Sequence, residues 1–139
     1  MELKTILVAY DTSSQAHKAF EFGLDLARKY GALLIVLSVS RPPEPEESVE
    51  TEAMLESAQA FYEEHFAALR QAADSQGVTA RFEVRVGHPA EQIVRTATEA
   101  KADLIAMGHR GKSTFTRWLL GSISKRVLSY APCDVLIVR

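Results

Sequence analysis

The sequence predicts an α/β protein: a single open five-stranded parallel sheet flanked by helices on both faces. Two observations lead there. Short apolar segments rich in β-branched residues alternate with longer segments whose apolar residues recur at helical spacing. Most of the short segments are apolar on both faces, as strands covered from both sides must be. Strand–helix alternation repeated four times implies parallel strands joined by right-handed crossovers.

The elements follow in order. Thr5 to Ala9 reads as a buried strand and ends in the polar turn Tyr10-Asp11-Thr12-Ser13-Ser14, which offers several helix N-caps. The spacing predicts a helix over 14–30, with Ala16, Ala19, Phe20, Gly23, Ala27 and Tyr30 on its inner side and Gly31 as its stop. Leu33 to Val39 is a second buried strand. Arg41-Pro42-Pro43-Glu44-Pro45-Glu46-Glu47 is rich in proline and acid and reads as an exposed loop; the run Glu44, Glu46, Glu47, Glu50 and Glu52 reads as a solvated segment. A long helix is expected from Val49 to Gln76, with Ala58, Tyr62, His65, Phe66, Leu69 and Ala73 facing inward and Gly77 ending it. Arg81 to Val86 alternates with period two, the mark of a half-exposed strand at or near a sheet edge. Gly87-His88-Pro89 is a turn whose proline suits the first position of a helix, and Ala90, Ile93, Val94 and Ala97 supply that helix with an apolar stripe. Asp103 to Met107 is a fourth strand, 108–121 a loop, 122–130 a last helix, and Asp134 to Val138 a fifth strand.

Length and composition set bounds. A chain of 139 residues makes one domain spanning 1–139, large enough to bury about two thirds of its unfolded surface without a disulfide or metal. The net charge of −2 argues against broad nucleic-acid binding, which needs a dense basic surface. One cysteine, Cys133, excludes an internal disulfide and reads as a small buried hydrophobe; it fits a reducing compartment. The N-terminal apolar stretch is too short for a signal peptide, and no apolar run approaches the ~20 residues of a membrane helix. A cytoplasmic protein with no membrane association is expected. No His, Cys, Asp or Glu cluster has metal-ligand spacing, so no protein-only metal site is expected; His88 and His109 read as isolated and His65 as structural.

In open parallel sheets ligands bind beyond the C-terminal strand ends, where the winding direction reverses. Three segments lie at such ends: Asp11-Thr12-Ser13, Val39-Ser40, and 108–121. The last carries the chemistry. Gly108 and Gly111 let main chain turn tightly against a bulky anion, and Gly121-Ser122 stands where the next helix opens, with free N–H groups and partial positive charge. Lys112, Arg110 and Arg117 could add charge or simply form a solvated loop face. Trp118 with Leu119 and Leu120 reads as an anchor of the loop or as an exposed binding patch. The G-x-x-x-x-G-K-S/T phosphate loop fails, because Ala106 stands where its first glycine should be, and no G-x-G-x-x-G occurs. The spacing present is G-x2-G-x9-G-S, through Gly108, Gly111, Gly121 and Ser122.

With that spacing the chain resembles the universal stress protein family, specifically its ATP-binding branch. The resemblance runs the whole length: the strand Ile6–Ala9 ending in Asp11 and Ser13, the Gly87-His88-Pro89 turn, Asp103-Leu104-Ile105 leading to Met107-Gly108, and the close Ala131-Pro132-Cys133-Asp134 with Val135 to Val138. It implies a Rossmann-like, adenine nucleotide alpha-hydrolase-like sheet of order 3-2-1-4-5. It implies ATP as ligand. Asp11 would meet the ribose or help hold a divalent ion, and Ala9 and Val39 would line the adenine, Val39 with its main chain. Met107 would sit beside the base near Gly108. Gly111, Gly121 and Ser122 would hold phosphates, Ser124 would reach the outer ones, and Ile123 completes the set. Mg2+ or Mn2+ would come with the nucleotide. The resemblance also implies a homodimer, which the apolar last strand Val135–Val138 suits as an unpaired edge. The chain departs from the family pattern at Thr12, where glycine is frequent, at Ser38, where histidine often precedes the valine, and at Asp134, where proline is frequent.

Other readings stay open at this level. The glycines serve as ordinary turn residues in one of them, and Asp11 as a helix N-cap. For function, a nucleotide-dependent stress-response regulator with an unidentified protein partner stands beside a slow ATPase and a nucleotide-independent dimeric module. In the first of these, ATP would order the loop over 112–120. No Glu or Asp occurs between Gly108 and Leu128, so hydrolysis lacks an evident general base and slow turnover or none is expected.

Overall fold

The computed structural model describes residues 2–42, 51–110 and 120–139. The chain alternates β1 (Thr5–Ala9), α1 (Ser14–Tyr30), β2 (Leu33–Ser40), α2 (Thr51–Ser75), β3 (Ala80–Val86), α3 (Pro89–Ala100), β4 (Leu104–Gly108), α4 (Ser122–Tyr130) and β5 (Asp134–Val138). The five strands form one sheet in the order β3-β2-β1-β4-β5, parallel throughout. This is the architecture expected from the alternation.

Period-two side-chain alternation divides the core between the two faces. Ile6, Val8, Leu34 and Val36 point to one side, where α1 brings Ala19, Phe20 and Ala27 and α2 brings Tyr62, Phe66, Leu69 and Ala73. Leu7, Ile35, Leu37, Ile105 and Met107 point to the other, against Ala90, Ile93 and Ala97 of α3 and Val127 of α4. The three central strands are covered on both faces, so they read as continuous apolar runs.

Local chemistry sets the boundaries. The Ser13 hydroxyl accepts the Ala16 N–H at 3.1 Å and caps α1, and Gly31 closes it in the left-handed region at φ 66°. Pro89 occupies the first turn of α3, as its turn predicted. Asp103 lies just before β4 rather than within it. Its carboxylate accepts the Lys4 and Thr5 N–H groups at 2.8 and 3.0 Å, tying the start of β1 to the start of β4. β2 runs one residue further than expected, because Ser40 stays paired with Val86.

Two inward assignments fail. Tyr30 is 44% exposed, since α1 ends there and no element extends past its last turn to cover it. His65 is exposed and its ring lies against Phe61 at 5.1 Å on the outer side of α2, while Leu69 and Phe66 take the buried stripe. On α3 the stripe is Ala90, Ile93, Thr96 and Ala97, with Val94 half-buried. Thr96 is tolerated inside because its hydroxyl donates to the Gln92 carbonyl at 2.7 Å. The expected starting residues of α2 at Val49 and Glu50, and the acidic run from Glu44 to Glu50, lie outside the described residues.

The sheet's two edges differ. On β3, Arg85 pairs with Glu83 and with Glu99 of α3, and Arg81 pairs with Glu83. β5 carries half-buried Val135, Leu136 and Ile137, and no strand lies beyond it among the described residues.

Candidate functional site

The chain runs outward from β1 to β2 and β3, then returns across β1 to β4 and β5. The winding therefore reverses between β1 and β4, and their C-terminal ends part there. A cleft of about 110 Å³, open to solvent on one side, occupies that place. Its walls come from the end of β1 (Ala9, Tyr10, Asp11), from Leu37 and Val39 of β2, from Pro89 and Ile93 of α3, from Met107, Gly108 and Arg110, and from Ile123 and Ser124 of α4.

The first turn is built by its own side chains. Asp11 Oδ1 accepts the Ser13 N–H at 3.0 Å, and Ser13 in turn caps α1. Thr12 between them is forced to φ 70°, a left-handed conformation that a β-branched residue rarely adopts. Among the described residues Asp11 is the only acidic one lining the cleft. Its charge, after burial, helps raise the phenol pKa values of both Tyr10 and Tyr62.

Val39 lies past the last register pair between β1 and β2, Ala9 with Leu37. The Leu37 carbonyl faces β1, accepting the Tyr10 N–H at 2.8 Å, and the Ser40 carbonyl faces β3, accepting the Gly87 N–H at 2.9 Å. Alternation along the strand turns the Val39 N–H and C=O toward the β1 side, where β1 has already ended. Ser38, fully buried, donates its hydroxyl proton to the Tyr10 carbonyl at 2.6 Å and fixes where β1 breaks off.

The opposite wall is main chain. The His109 N–H donates to the Val138 carbonyl at 2.6 Å, and the Gly121 N–H donates back to the His109 carbonyl at 3.0 Å. The Ser124 hydroxyl, 3% exposed, donates toward the Gly108 and His109 carbonyls at 3.0 and 3.2 Å. Gly121 is the N-cap of α4, and among the described residues no side chain caps that helix. The first intrahelical bond runs from Lys125 N–H to the Gly121 carbonyl, so the N–H groups of Ser122, Ile123 and Ser124 precede the ladder, as at any helix start. A Cβ at Gly121 would lie 3.2 Å from the His109 carbonyl oxygen, and one at Gly108 would lie 2.9 Å from Gln15 Cβ. Both glycines are therefore places where two backbones approach closely.

Of the expected site residues, Ala9, Asp11, Val39, Met107, Gly108, Ile123 and Ser124 line one cleft. Gly121 and Ser122 are not among its lining residues; they open α4 just before Ile123, and the Gly121 N–H expected to meet phosphate is given to the His109 carbonyl. Gly111, Lys112, Ser113, Arg117, Trp118 and Leu119 lie outside the described residues. The sequence reading passed over Tyr10, Pro89 and Ile93. Pro89 and Ile93 were legible as helix-opening and core residues, but nothing local shows that α3 begins against the ends of β1 and β4. Among the described residues no group of three His, Cys, Asp or Glu is placed to hold a metal ion, and no helix is long and apolar enough to cross a membrane.

Comparison with known proteins bears on this geometry. The sequence model described as "Universal stress protein family" matches residues 2–139. A universal stress protein of Thermus aquaticus is 37% identical over 142 aligned residues, covering 98% of each chain. Among solved structures, universal stress protein UspA from Lactobacillus plantarum superposes with a TM-score of 0.87, covering 100% of this chain and 99% of its own at 24% identity. A universal stress protein solved in complex with cAMP gives a TM-score of 0.77 at 27% identity, covering 100% and 99% of the two chains.

Proposed function

The chain belongs to the universal stress protein family, and on that premise we propose that it binds an adenine nucleotide, ATP foremost, in the cleft between the ends of β1 and β4. The observation that carries this reading is the pairing of two unlike walls across one cleft. One wall offers Asp11 and main-chain groups of Val39 that β1 leaves behind. The other offers the uncapped start of α4 behind two glycines that no Cβ could replace without a close contact. The first suits a ribose hydroxyl and a purine edge, with Ala9, Val39 and Met107 supplying apolar contact. The second suits phosphate oxygens. The cAMP complex of a related protein supports the nucleotide class.

ATP and a divalent ion are tested against the residues present. The close approaches at Gly108 and Gly121 are to Gln15 and to the His109 carbonyl, so the phosphates would meet the N–H groups that open α4, those of Ser122, Ile123 and Ser124, with the Ser122 hydroxyl; the Ser124 hydroxyl is already given to the Gly108 and His109 carbonyls. Gly111 would add to that grip. Asp11 alone cannot cage a hard cation, but with phosphate oxygens it could share Mg2+ or Mn2+, whose chemistry there would be charge neutralisation. Asp11 already accepts the Ser13 N–H, and it is the one carboxylate among the described lining residues. The reading is of a site built for binding, with slow turnover or none, in a cytoplasmic, nucleotide-dependent regulator of a stress response. A homodimer through β5 fits the same reading, because Val135, Leu136 and Ile137 remain half-exposed along an unpaired edge.

Titration calorimetry with ATP and Mg2+ tests the proposal. Saturable binding tighter than about millimolar, abolished in Gly121→Val, is expected; its absence in the unaltered protein refutes it. Steady multiple-turnover phosphate release that disappears in Gly121→Val would instead establish an ATPase.

A further inference from the structure

The two walls of the cleft come from opposite ends of the sequence, yet one side chain joins them. Gln15, in the first turn of α1, reaches across 95 positions and accepts the Arg110 N–H on its Oε1 at 2.7 Å. The contact is tight along its length. Gln15 Cβ and its carbonyl carbon lie so near Gly108 that a Cβ there would sit 2.9 and 3.3 Å from them. Arg110 follows the two residues whose carbonyls Ser124 ties to α4 and whose N–H at His109 is tied to β5. The turn over 108–110 is thus held from β5, from α4 and, by Gln15 alone among these side-chain bonds, from α1. Gln15 also lies two residues after Ser13, whose N–H holds Asp11. It links the Asp11 turn to the 108–110 turn.

We infer that Gln15 is a positioning residue for the phosphate half of the nucleotide site, fixing the 108–110 turn against α1 so that the His109 carbonyl holds Gly121 and the start of α4 in place. This rests on the nucleotide reading above. The side chain need not touch the ligand. Its part is to hold one main-chain N–H and so steady the turn that carries the His109 carbonyl to Gly121, so its effect falls on ligands that extend past the ribose.

The test uses the full chain and two substitutions. Gln15→Met keeps the length and methylene packing and removes the acceptor. Gln15→Glu keeps an acceptor in the same place. Binding of ATP and of adenosine is measured by calorimetry for each, with hydrogen exchange at the Arg110 amide as a direct reading of the contact. In Gln15→Met, ATP binding weakens by about three- to tenfold, the usual worth of one neutral hydrogen bond, while adenosine binding is unchanged and the Arg110 amide exchanges faster. In Gln15→Glu the amide is protected as in the unaltered protein and adenosine binds as before. Unchanged ATP affinity in Gln15→Met overturns the inference, and so does an equal loss for ATP and adenosine, which would mark Gln15 as general packing. If the unaltered protein binds neither ligand, the nucleotide reading itself falls and takes this role with it. That outcome is told apart by the unaltered protein alone.

Discussion

Thr12 carries a measurable load. The Asp11 carboxylate and the Ser13 cap build a turn that leaves Thr12 at φ 70°. For an L-residue this conformation costs about 1–2 kcal/mol, and β-branching places Thr at the upper end. Thr12→Gly removes that cost. Against it stands the extra freedom of glycine in the unfolded chain, worth about 0.4–1 kcal/mol. The net expectation is a gain of about 1 kcal/mol. Unfolding entropy near 60 °C is about 2.1 cal/mol/K per residue, so for 139 residues the gain appears as a rise of roughly 3–4 °C in Tm. Thermal melts followed by circular dichroism, with calorimetry as a check on two-state behaviour, read it directly. Thr12→Ala is the control: it keeps the left-handed penalty but drops the branch, and it should fall between the two. If Thr12→Gly melts at or below the unaltered protein, the turn is not strained and the argument from φ is wrong.

Other expectations follow from packing and protonation. A Cβ at Gly23 would lie 2.6 Å from Val8 Cγ2 in the packed layer between α1 and the sheet. Overpacking there should outweigh the helix-propensity gain, so that Gly23→Ala lowers stability by about 1–2 kcal/mol in urea titration; a stabilised variant would refute it. Burial raises the Tyr10 and Tyr62 phenols, with the Asp11 charge adding, and raises the Cys133 thiol, with Asp134 and Asp103 adding. A raised folded-state pKa contributes stability that is complete below the ordinary value and is lost as pH climbs toward the folded one. Stability should therefore decline from about the ordinary thiol value of 9.0 and further past the ordinary phenol value of 10.0. Urea midpoints that stay level through that window would contradict it, and Asp11→Asn should soften the phenol part of the decline.

Most of the architecture was legible because the central strands are apolar on both faces and the helices carry clean stripes. Gly31 and Pro89 mark boundaries that local chemistry enforces. The errors have local causes too. Tyr30 and His65 obey the helical period but sit where no neighbour covers them, one at a helix end and one on the rim of a long helix. The lining of the cleft was legible where it depends on residue type, as at Asp11. It was not legible where it depends on reach. Gln15 looks like any exposed first-turn residue until α1 is laid against β4, and only then do its carbonyl and the Arg110 amide meet. Pro89 and Ile93 likewise became cleft residues through the placement of α3.

The unlike edges of the sheet bear on how large an assembly this chain can build. The β3 border is armed with Arg81, Glu83 and Arg85 locked in mutual ion pairs, and charged borders of that kind repel further strands. Among the described residues the β5 border carries no such set of ion pairs. In the proposed dimer this border would join its twin across a twofold axis, and the charged β3 border would leave a third copy no strand edge to extend. Growth would then stop at two rather than run on into fibres.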